Sequence, residues 1–199
     1  ERLGRWCVPG PVTESIAVAP VLLADDDRSA ALATGELIAT VALPPHMPRA
    51  LDADVAGVVL VAGEGSVRDG VAGAQHESVD PSRKLFDVTA SGEARPADVA
   101  RAYDFGALAT AAQLVGAGQA LLDTSVEYAK QRSQFGKVIG TYQAIKHKLA
   151  DVHIAIELAR PLVYGAALSL ADNSGNTARD VNAAKVAASD AALLAARSA

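Results

Sequence analysis

Two long apolar stripes constrain the fold of this chain more than any other feature of its sequence. In residues 105–129 and again in residues 145–170, apolar side chains recur mainly every three or four positions. That spacing places them along one side of an α-helix, and such a side must be buried against another element. The first stripe consists of Phe105, Leu108, Ala112, Val115, Leu122, Val126 and Ala129, and the second of Ile145, Leu149, Val152, Ile156, Ala159, Val163, Ala166 and Leu170.

Short breaks separate these helical segments. The first is the corner from Gly136 to Gly140, and the second is the turn "DNSGN", after which an Ala-rich third helix begins near Thr177. Long helices joined by short turns pack antiparallel as a bundle. Pro161 is expected to kink the second helix. Residues 94–199 are therefore predicted to form a C-terminal helical bundle that is incomplete.

Residues 29–93 have a different character. The runs "GELIATVAL" and "VAGVVLVA" are rich in β-branched apolar residues and have the length of strands, and "LFDVTAS" alternates as a strand does. Gly and Pro residues interrupt the sequence between them. The pair Gly63 and Gly65 is interpreted as a hairpin turn, since no helix follows to make it a dinucleotide loop. Residues 1–28 are predicted to be the end of an N-terminal helical segment. The predicted fold class is therefore mainly α with a small antiparallel β unit (α+β).

Composition limits the functions that the chain can have. Its net charge of −5 and pI near 5.3 argue against nucleic-acid binding, which requires a basic surface. The single Cys7 fits a reducing cytoplasm. No signal peptide and no uninterrupted apolar run long enough to cross a bilayer is apparent, so no membrane association is expected. The four histidines lie in no metal-ligand spacing, and no metal site is predicted.

Both ends of the chain have unusual sequences. Residue Glu1 is not an initiator methionine, and "AALLAARSA" stops within a helical pattern without a cap. We expect the chain to be a fragment, a processed product or the ordered part of a longer protein.

The corner after the first long helix groups side chains suited to a phosphate-containing ligand. Arg132 offers a planar fork of donors, and Phe135 offers an aromatic face for a purine. Gly136 and Gly140 allow the backbone to turn close to a ligand. Gln143 opens the next helix, whose free N–H groups favour anions. Without these neighbours, the simpler interpretation of Arg132 is a cation that interacts favourably with the negative C-terminal end of the helix dipole.

The stretch "YAKQRSQFGKVIGTYQAIKHKLADV" closely resembles the signature of acyl-CoA dehydrogenases, R-x-x-F-G-x-x-(I/L)-x-x-x-Q-x-(I/V)-x-x-x-L-A-(D/E)-(M/V). The resemblance covers roughly residues 103–199 and is weaker before them. It implies an N-terminal helical domain, a middle β domain and a C-terminal four-helix bundle. It also implies FAD as the cofactor and α,β-desaturation of an acyl-CoA thioester as the reaction.

In this family the corner of one subunit binds the FAD diphosphate and adenosine of its neighbour across a dimer interface. The resemblance therefore implies that Arg132 binds the diphosphate and that Phe135 lies near the adenine. It further implies that Ile139, Tyr142 and Gln143 line the same groove.

The catalytic side departs from the family pattern. The family places its catalytic glutamate in one of two positions. The first corresponds here to Gly106, which cannot act as a base, and the second would lie beyond Ala199. Glycine at 106 suits either close helix packing or extra room for a bulky acyl group, and the nearby glycines favour packing. Asp104 matches a family carboxylate that contacts substrate, whereas Ala107 replaces a frequent arginine near the CoA arm.

The β zone also lacks the family's T-E-x-x-x-G-S-D and W-I-(T/S)-N stretches, which line the flavin ring. These features predict a subunit of an acyl-CoA dehydrogenase of fatty acid or lipid metabolism, in a homo- or hetero-oligomer whose other subunit supplies much of the catalytic pocket. In some actinobacterial-type relatives, one of the two kinds of subunit is degenerate in this way. An electron-transfer acceptor is implied. Two alternatives stay open: a complete enzyme whose base lies past Ala199, and a structural bundle subunit without flavin.

Overall fold

The computed structural model describes all 199 residues, and they group into two compact units. One unit comprises residues 9–106, and the other comprises residues 1–8 together with 107–199. The two units are defined by contacts between residues, whereas the boundaries predicted after residues 28 and 93 rest on changes in sequence character. Those boundaries therefore stay predictions.

The unit of residues 9–106 combines short helices with a five-stranded sheet. The helical elements are a π-helical turn Glu14–Val18, α2 (Ala19–Leu22) and α3 (Ser29–Thr34), which follow the short α1 (Arg2–Arg5) of the other unit. The strands are β1 (Ala39–Ala42), β2 (Arg49–Leu51), β3 (Val58–Gly63), β4 (Ser66–His76) and β5 (Leu85–Pro96).

The strand order in the sheet is β1-β3-β4-β5-β2. Strands β3, β4, β5 and β2 pair antiparallel, as predicted, but β1 pairs parallel to β3, with Ala39 opposite Val58. The sheet is therefore mixed rather than purely antiparallel. The α+β fold class itself is confirmed.

The turn between β3 and β4 confirms the interpretation of the glycine pair. Gly63 pairs with Ser66, and the two residues between them have positive φ, 50° at Glu64 and 73° at Gly65. Two consecutive left-handed residues define a type I′ hairpin turn, whose twist matches that of the flanking strands. This segment does not form a dinucleotide loop.

A serine joins the first helical segment to the sheet. The Ser15 hydroxyl donates to the Ala39 carbonyl at 2.7 Å and accepts from the Ala39 N–H at 2.9 Å. Apolar side chains from these elements form one core beneath β1 and β3. Its largest fully buried members are Val18, Leu23, Val41, Leu60 and Val67.

Three long helices follow the sheet: α4 (Val99–Gln131), α5 (Gln143–Ala171) and α6 (Thr177–Ser198). Asp98 caps α4, because its carboxylate accepts a hydrogen bond of 2.9 Å from the N–H of Arg101. The predicted corner and the turn at residues 172–176 separate the helices, and α5 continues through Pro161.

The predicted stripe of α5 and part of the predicted stripe of α4 provide the core of the bundle. The six residues of α5 that are buried all belong to its predicted stripe: Val152, Ile156, Ala159, Val163, Ala166 and Leu170. All of them except Leu170 pack with buried residues of α4 and α6, namely Ala111, Val115, Leu122, Val181, Ala184, Ala188, Ala191 and Ala195. Alanines on α6 keep the packing close.

Helices α4 and α5 are each long and apolar enough to cross a membrane by length and composition. The expectation that the chain has no such segment is therefore wrong by this measure. Core helices of soluble proteins often have the same composition, so the finding is weak evidence for a membrane. Only about a third of each apolar window is buried, 33% in α4 and 28% in α5.

Candidate functional site at the corner between the long helices

The corner between α4 and α5 is an ordered hairpin rather than a loose connection. Strand β6 (Ser133–Gln134) pairs antiparallel with β7 (Lys137–Val138). The two residues between them, Phe135 and Gly136, have φ of 53° and 79°. They form a second type I′ turn, and a single 3₁₀ turn, Ile139–Thr141, then leads into α5.

Hydrogen bonds fix this hairpin to the end of α4. The N–H of Ile139 donates to the Arg132 carbonyl at 2.8 Å, and the Tyr142 hydroxyl donates to the Gln134 carbonyl at 3.1 Å. A Cβ atom at Gly140 would lie 2.9 Å from the Ala129 carbonyl oxygen, so only glycine allows this approach. The position of the corner is therefore set by the backbone before any ligand binds.

Phe135 is the most exposed large side chain of the corner. It is 93% exposed, and it holds a left-handed backbone conformation that costs a non-glycine residue about 1–2 kcal/mol. Strain of this kind is concentrated at functional sites. The turn presents the Phe135 ring to solvent, where it can stack on a flat ligand.

Positive charge is concentrated at the corner. Residues 128–150 contain five Lys and Arg residues and no acidic residue, although the chain as a whole has a net charge of −5. Two of these cations are engaged locally: Lys130 pairs with Glu127 at 2.6 Å, and the Lys137 ammonium lies 4.2 Å from the centre of the Tyr142 ring. Arg132 and Lys146, both exposed, form no ion pair within the chain.

The beginning of α5 adds hydrogen-bond donors. The preceding residue, Tyr142, makes no side-chain cap, and the first main-chain hydrogen bond of the helix is donated by the N–H of Lys146 to the Tyr142 carbonyl. The N–H groups of Gln143, Ala144 and Ile145 are therefore available. Free N–H groups at a helix start, close in sequence to unpaired cations, fit the phosphates of a dinucleotide.

The structure brings all five predicted cofactor residues into this one segment. Arg132, Phe135 and Gln143 are exposed, whereas Ile139 and Tyr142 are half-buried. The Tyr142 hydroxyl holds the hairpin together through its hydrogen bond to Gln134, and sequence reasoning missed this role. It also missed the lysines of α5, although the run without acidic residues in the sequence could have revealed them.

The predicted substrate-side residues lie near the start of α4, within the unit of residues 9–106. Asp104 is half-buried, and burial raises the pKa of its carboxyl group, with a further contribution from Asp98 that Arg101 partly opposes. Beside it in sequence, the Tyr103 ring lies 5.8 Å from the His46 ring. A carboxyl group with a raised pKa is protonated over a wider pH range, so it can also donate a hydrogen bond.

Gly106 has no room for a side chain. It is buried, and a Cβ atom added there would lie 2.8 Å from Cγ2 of Val18. The geometry favours close packing as the reason for this glycine, rather than extra space for an acyl group. No general base can occupy position 106 unless the surrounding residues move.

We expect Gly106→Ala to destabilise the protein, although alanine is the better helix former by about 1 kcal/mol. Forcing a methyl group against Val18 typically costs about 1–3 kcal/mol. Gly118→Ala is the matched control, because its Cβ atom would lie at an ordinary 3.5 Å from Ile156. Thermal unfolding of both variants provides the measurement. Equal stabilisation by the two substitutions would contradict the packing explanation.

A buried carboxyl group was not predicted. Glu14 is only 8% exposed, and burial raises its pKa against the opposing effects of its own backbone hydrogen bond and of Arg83. In the sequence it has the appearance of an ordinary first-turn acidic residue, and no local signal indicates its burial.

Comparison with known proteins defines the family of the chain. The family model for the acyl-CoA dehydrogenase C-terminal domain matches residues 98–199. Acyl-CoA dehydrogenase IpdE2 of Mycobacterium tuberculosis is 31% identical over 185 residues, which cover 90% of this chain and 58% of IpdE2. The chain therefore belongs to the acyl-CoA dehydrogenase family, and it spans little more than half the length of that relative.

Solved structures share the fold. The ChsE4-ChsE5 complex from Mycobacterium tuberculosis superposes with a TM-score of 0.78 at 20% identity, covering 98% of this chain and 65% of the other. A structure described as PigA with FAD and proline also gives a TM-score of 0.78, at 17% identity, covering 94% and 65%.

Proposed function

We propose that this chain is a subunit of an FAD-dependent acyl-CoA dehydrogenase and that its corner binds the diphosphate and adenosine of FAD held by a neighbouring subunit. The observation that carries the proposal is the preformed corner, with its exposed Phe135, its unpaired Arg132 and the open start of α5. Membership of the acyl-CoA dehydrogenase family and the FAD named in the PigA structure support it.

Each corner residue has a distinct role in this proposal. The guanidinium group of Arg132 binds phosphate oxygens through its paired donors, and the N–H groups at the start of α5 bind others. The ring of Phe135 stacks beside the adenine. Ile139 and Tyr142 line the groove, and Tyr142 also keeps the hairpin closed through its bond to Gln134.

FAD, when bound, supplies the oxidation of the acyl chain between Cα and Cβ. This chain supplies no base at position 106, where packing against Val18 excludes a side chain. We therefore infer that a sister subunit contributes much of the catalytic pocket, as the pairing of two named components in the ChsE4-ChsE5 structure suggests. Asp104 contacts the thioester substrate in this proposal. The assembly works in the cytoplasm and passes its electrons to a separate acceptor.

Two other functions lead to different outcomes. A complete enzyme would take its base from residues after Ala199, and a structural subunit would bind no flavin. The absorbance spectrum of the purified assembly, recorded with and without its partner subunit, separates these functions. We expect flavin bands near stoichiometric occupancy in the assembly and little flavin in the chain alone. An assembly without flavin would leave only the structural function.

A further inference from the structure

The connection between β4 and β5, residues 77–84 (the strap), ends close to the buried carboxyl group of Glu14. The side chains of the strap are exposed, apart from that of the half-buried Ser78. No apolar side chain therefore anchors it in the core. Its last two residues, Arg83 and Lys84, are both cations, and the groups that they interact with outside the strap are carboxyl groups.

Asp52, which follows β2, holds the end of the strap through its backbone and its side chain. The Asp52 N–H donates to the Lys84 carbonyl at 2.8 Å, and the Lys84 N–H donates to the Asp52 carboxylate at 3.1 Å. The Lys84 ammonium also pairs with Asp54 at 2.7 Å. Within the strap, the N–H of Ser82 donates to the carboxylate of Asp80 at 2.9 Å. The strap is therefore held by polar contacts that converge at its C-terminal end.

Glu14 lies among elements that carry no charge of their own. Its π-helical turn packs against α2, α3 and β1, and none of these three elements contains a charged residue. The charges that act on Glu14 are Arg83 of the strap and Asp52, which is itself only 8% exposed. Burial raises the pKa of Glu14 most strongly, with a lesser contribution from Asp52, whereas its own backbone hydrogen bond and Arg83 lower it. An ionised Glu14 is therefore costly while the strap is closed.

Two changes can remove the cost of an ionised Glu14. The carboxyl group can bind a proton, or the strap can move away so that water reaches the carboxylate. Because ionisation costs less when the strap is open, the closed state binds the proton more tightly. Closure is therefore fully favoured below the ordinary pKa of a glutamate and is weakened as the pH rises through the raised pKa of the closed state. Arg83 offsets part of this weakening, since it attracts only the ionised carboxylate.

We propose that the strap is a proton-controlled cover beside Glu14, closed while this carboxyl group carries a proton and released towards an open state when the group ionises. Glu14 is the proton-sensitive group, Asp52 fixes the closed end of the strap, and Arg83 sets how far ionisation releases it. The device lies within the unit of residues 9–106. It does not depend on the flavin corner or on a sister subunit.

Hydrogen–deuterium exchange tests the proposal at the Lys84 and Asp52 amides, which bridge the strap to the rest of the unit. Exchange is measured on the full chain by mass spectrometry with residue-level fragmentation and is corrected for the intrinsic effect of pH. Measurements begin at about pH 4, because further acid would protonate Asp54 and break its pair with Lys84. Protection in the wild-type chain is expected to fall by up to about tenfold per pH unit until the raised pKa of Glu14 is passed, and then to level off.

Glu14→Gln replaces the carboxyl group with a neutral side chain of the same shape as its protonated form. This variant is expected to keep the high protection without a fall as the pH rises. Glu77→Gln is the matched control, because it removes the same charge from an exposed position of the strap. It is expected to leave the fall unchanged. His76, whose Nε2 lies 2.8 Å from the Asp87 carboxylate at the base of the strap, is present in every variant. Differences between variants therefore isolate Glu14.

Arg83→Gln provides a second test that does not require the Glu14 variant to fold. Above the raised pKa of Glu14 it is expected to lower the protection further, whereas at the acid end of the range it is expected to have no effect. In the Glu14→Gln background it is expected to have no effect at any pH in the range. Circular dichroism establishes that each variant is folded. Protection that does not depend on pH in the wild-type chain, or an equal fall in folded Glu14→Gln, would overturn the proposal.

Discussion

The chain purified without a partner subunit is expected to oxidise acyl-CoA about 10²–10⁴ times more slowly than the assembled enzyme. General acid–base groups contribute rate factors of that size, and the proposed function assigns the family's base position to Gly106. The geometry strengthens the expectation, because a side chain at 106 would contact Val18. Reduction of a ferrocenium acceptor in the presence of acyl-CoA provides the assay.

The control for this experiment is the same chain mixed with its sister subunit and with added FAD. Recovery of activity in the mixture would show that the isolated chain is folded and competent to assemble. Robust turnover by the chain alone would mean that it carries a base elsewhere, and the proposal of a non-catalytic subunit would be abandoned.

Arg132→Ala is expected to weaken FAD binding by the assembly roughly ten- to a hundredfold. Loss of a charge-assisted hydrogen bond costs about 1.5–3 kcal/mol, and each 1.4 kcal/mol is a factor of ten in affinity. Arg132→Lys is expected to be intermediate, because lysine keeps the charge but loses the paired donors. Flavin absorbance during equilibrium dialysis measures the dissociation constant.

Arg197→Ala controls for the simpler role of Arg132 as a helix-end cation. Arg197 lies in the last turn of α6, much as Arg132 follows the last turn of α4. Removing a cation from a helix end costs about 0.3–1 kcal/mol of stability in either place. Equal losses of stability in both variants, with unchanged flavin content, would identify Arg132 as a dipole partner and refute the cofactor role.

The helical part of the fold could be predicted because its signal is periodic and local. The six residues of the predicted α5 stripe between Val152 and Leu170 occupy the buried side that their spacing indicates. The beginning of α6 at Thr177 follows from the preceding turn residues in the same way. These features depend on residues that are close together in sequence, so they can be predicted from a single sequence.

The sheet was harder to predict, because strand pairing depends on residues that are distant in sequence. Strand β4 (Ser66–His76) contains two glycines and several polar residues, so it lacks the apolar alternation that marks a strand. The parallel pairing of β1 with β3 leaves no trace in either sequence. Helix α3 (Ser29–Thr34), at the start of the predicted β zone, has no buried residue and hence no apolar stripe to detect.

The residues of the corner were predicted, but its architecture was not. Arg132, Phe135 and Gln143 are conspicuous in the sequence, whereas the hairpin that presents them depends on Phe135 in a left-handed conformation. Phenylalanine rarely adopts that conformation, so propensity gives no warning of the turn. The close approach of Gly140 to Ala129 is likewise visible only in three dimensions.

The separation of charge along the chain has a kinetic consequence. An anion diffusing towards a protein of net charge −5 is repelled at long range and attracted near residues 128–150, which contain five Lys and Arg residues and no acidic residue. Such a field guides encounters to one part of the surface, and it does so over a Debye length of only about 8 Å at physiological ionic strength. Added salt would therefore slow the capture of an anionic ligand at the corner and would also reduce its repulsion elsewhere. The rate of capture, more than the final affinity, is the quantity that this charge distribution controls.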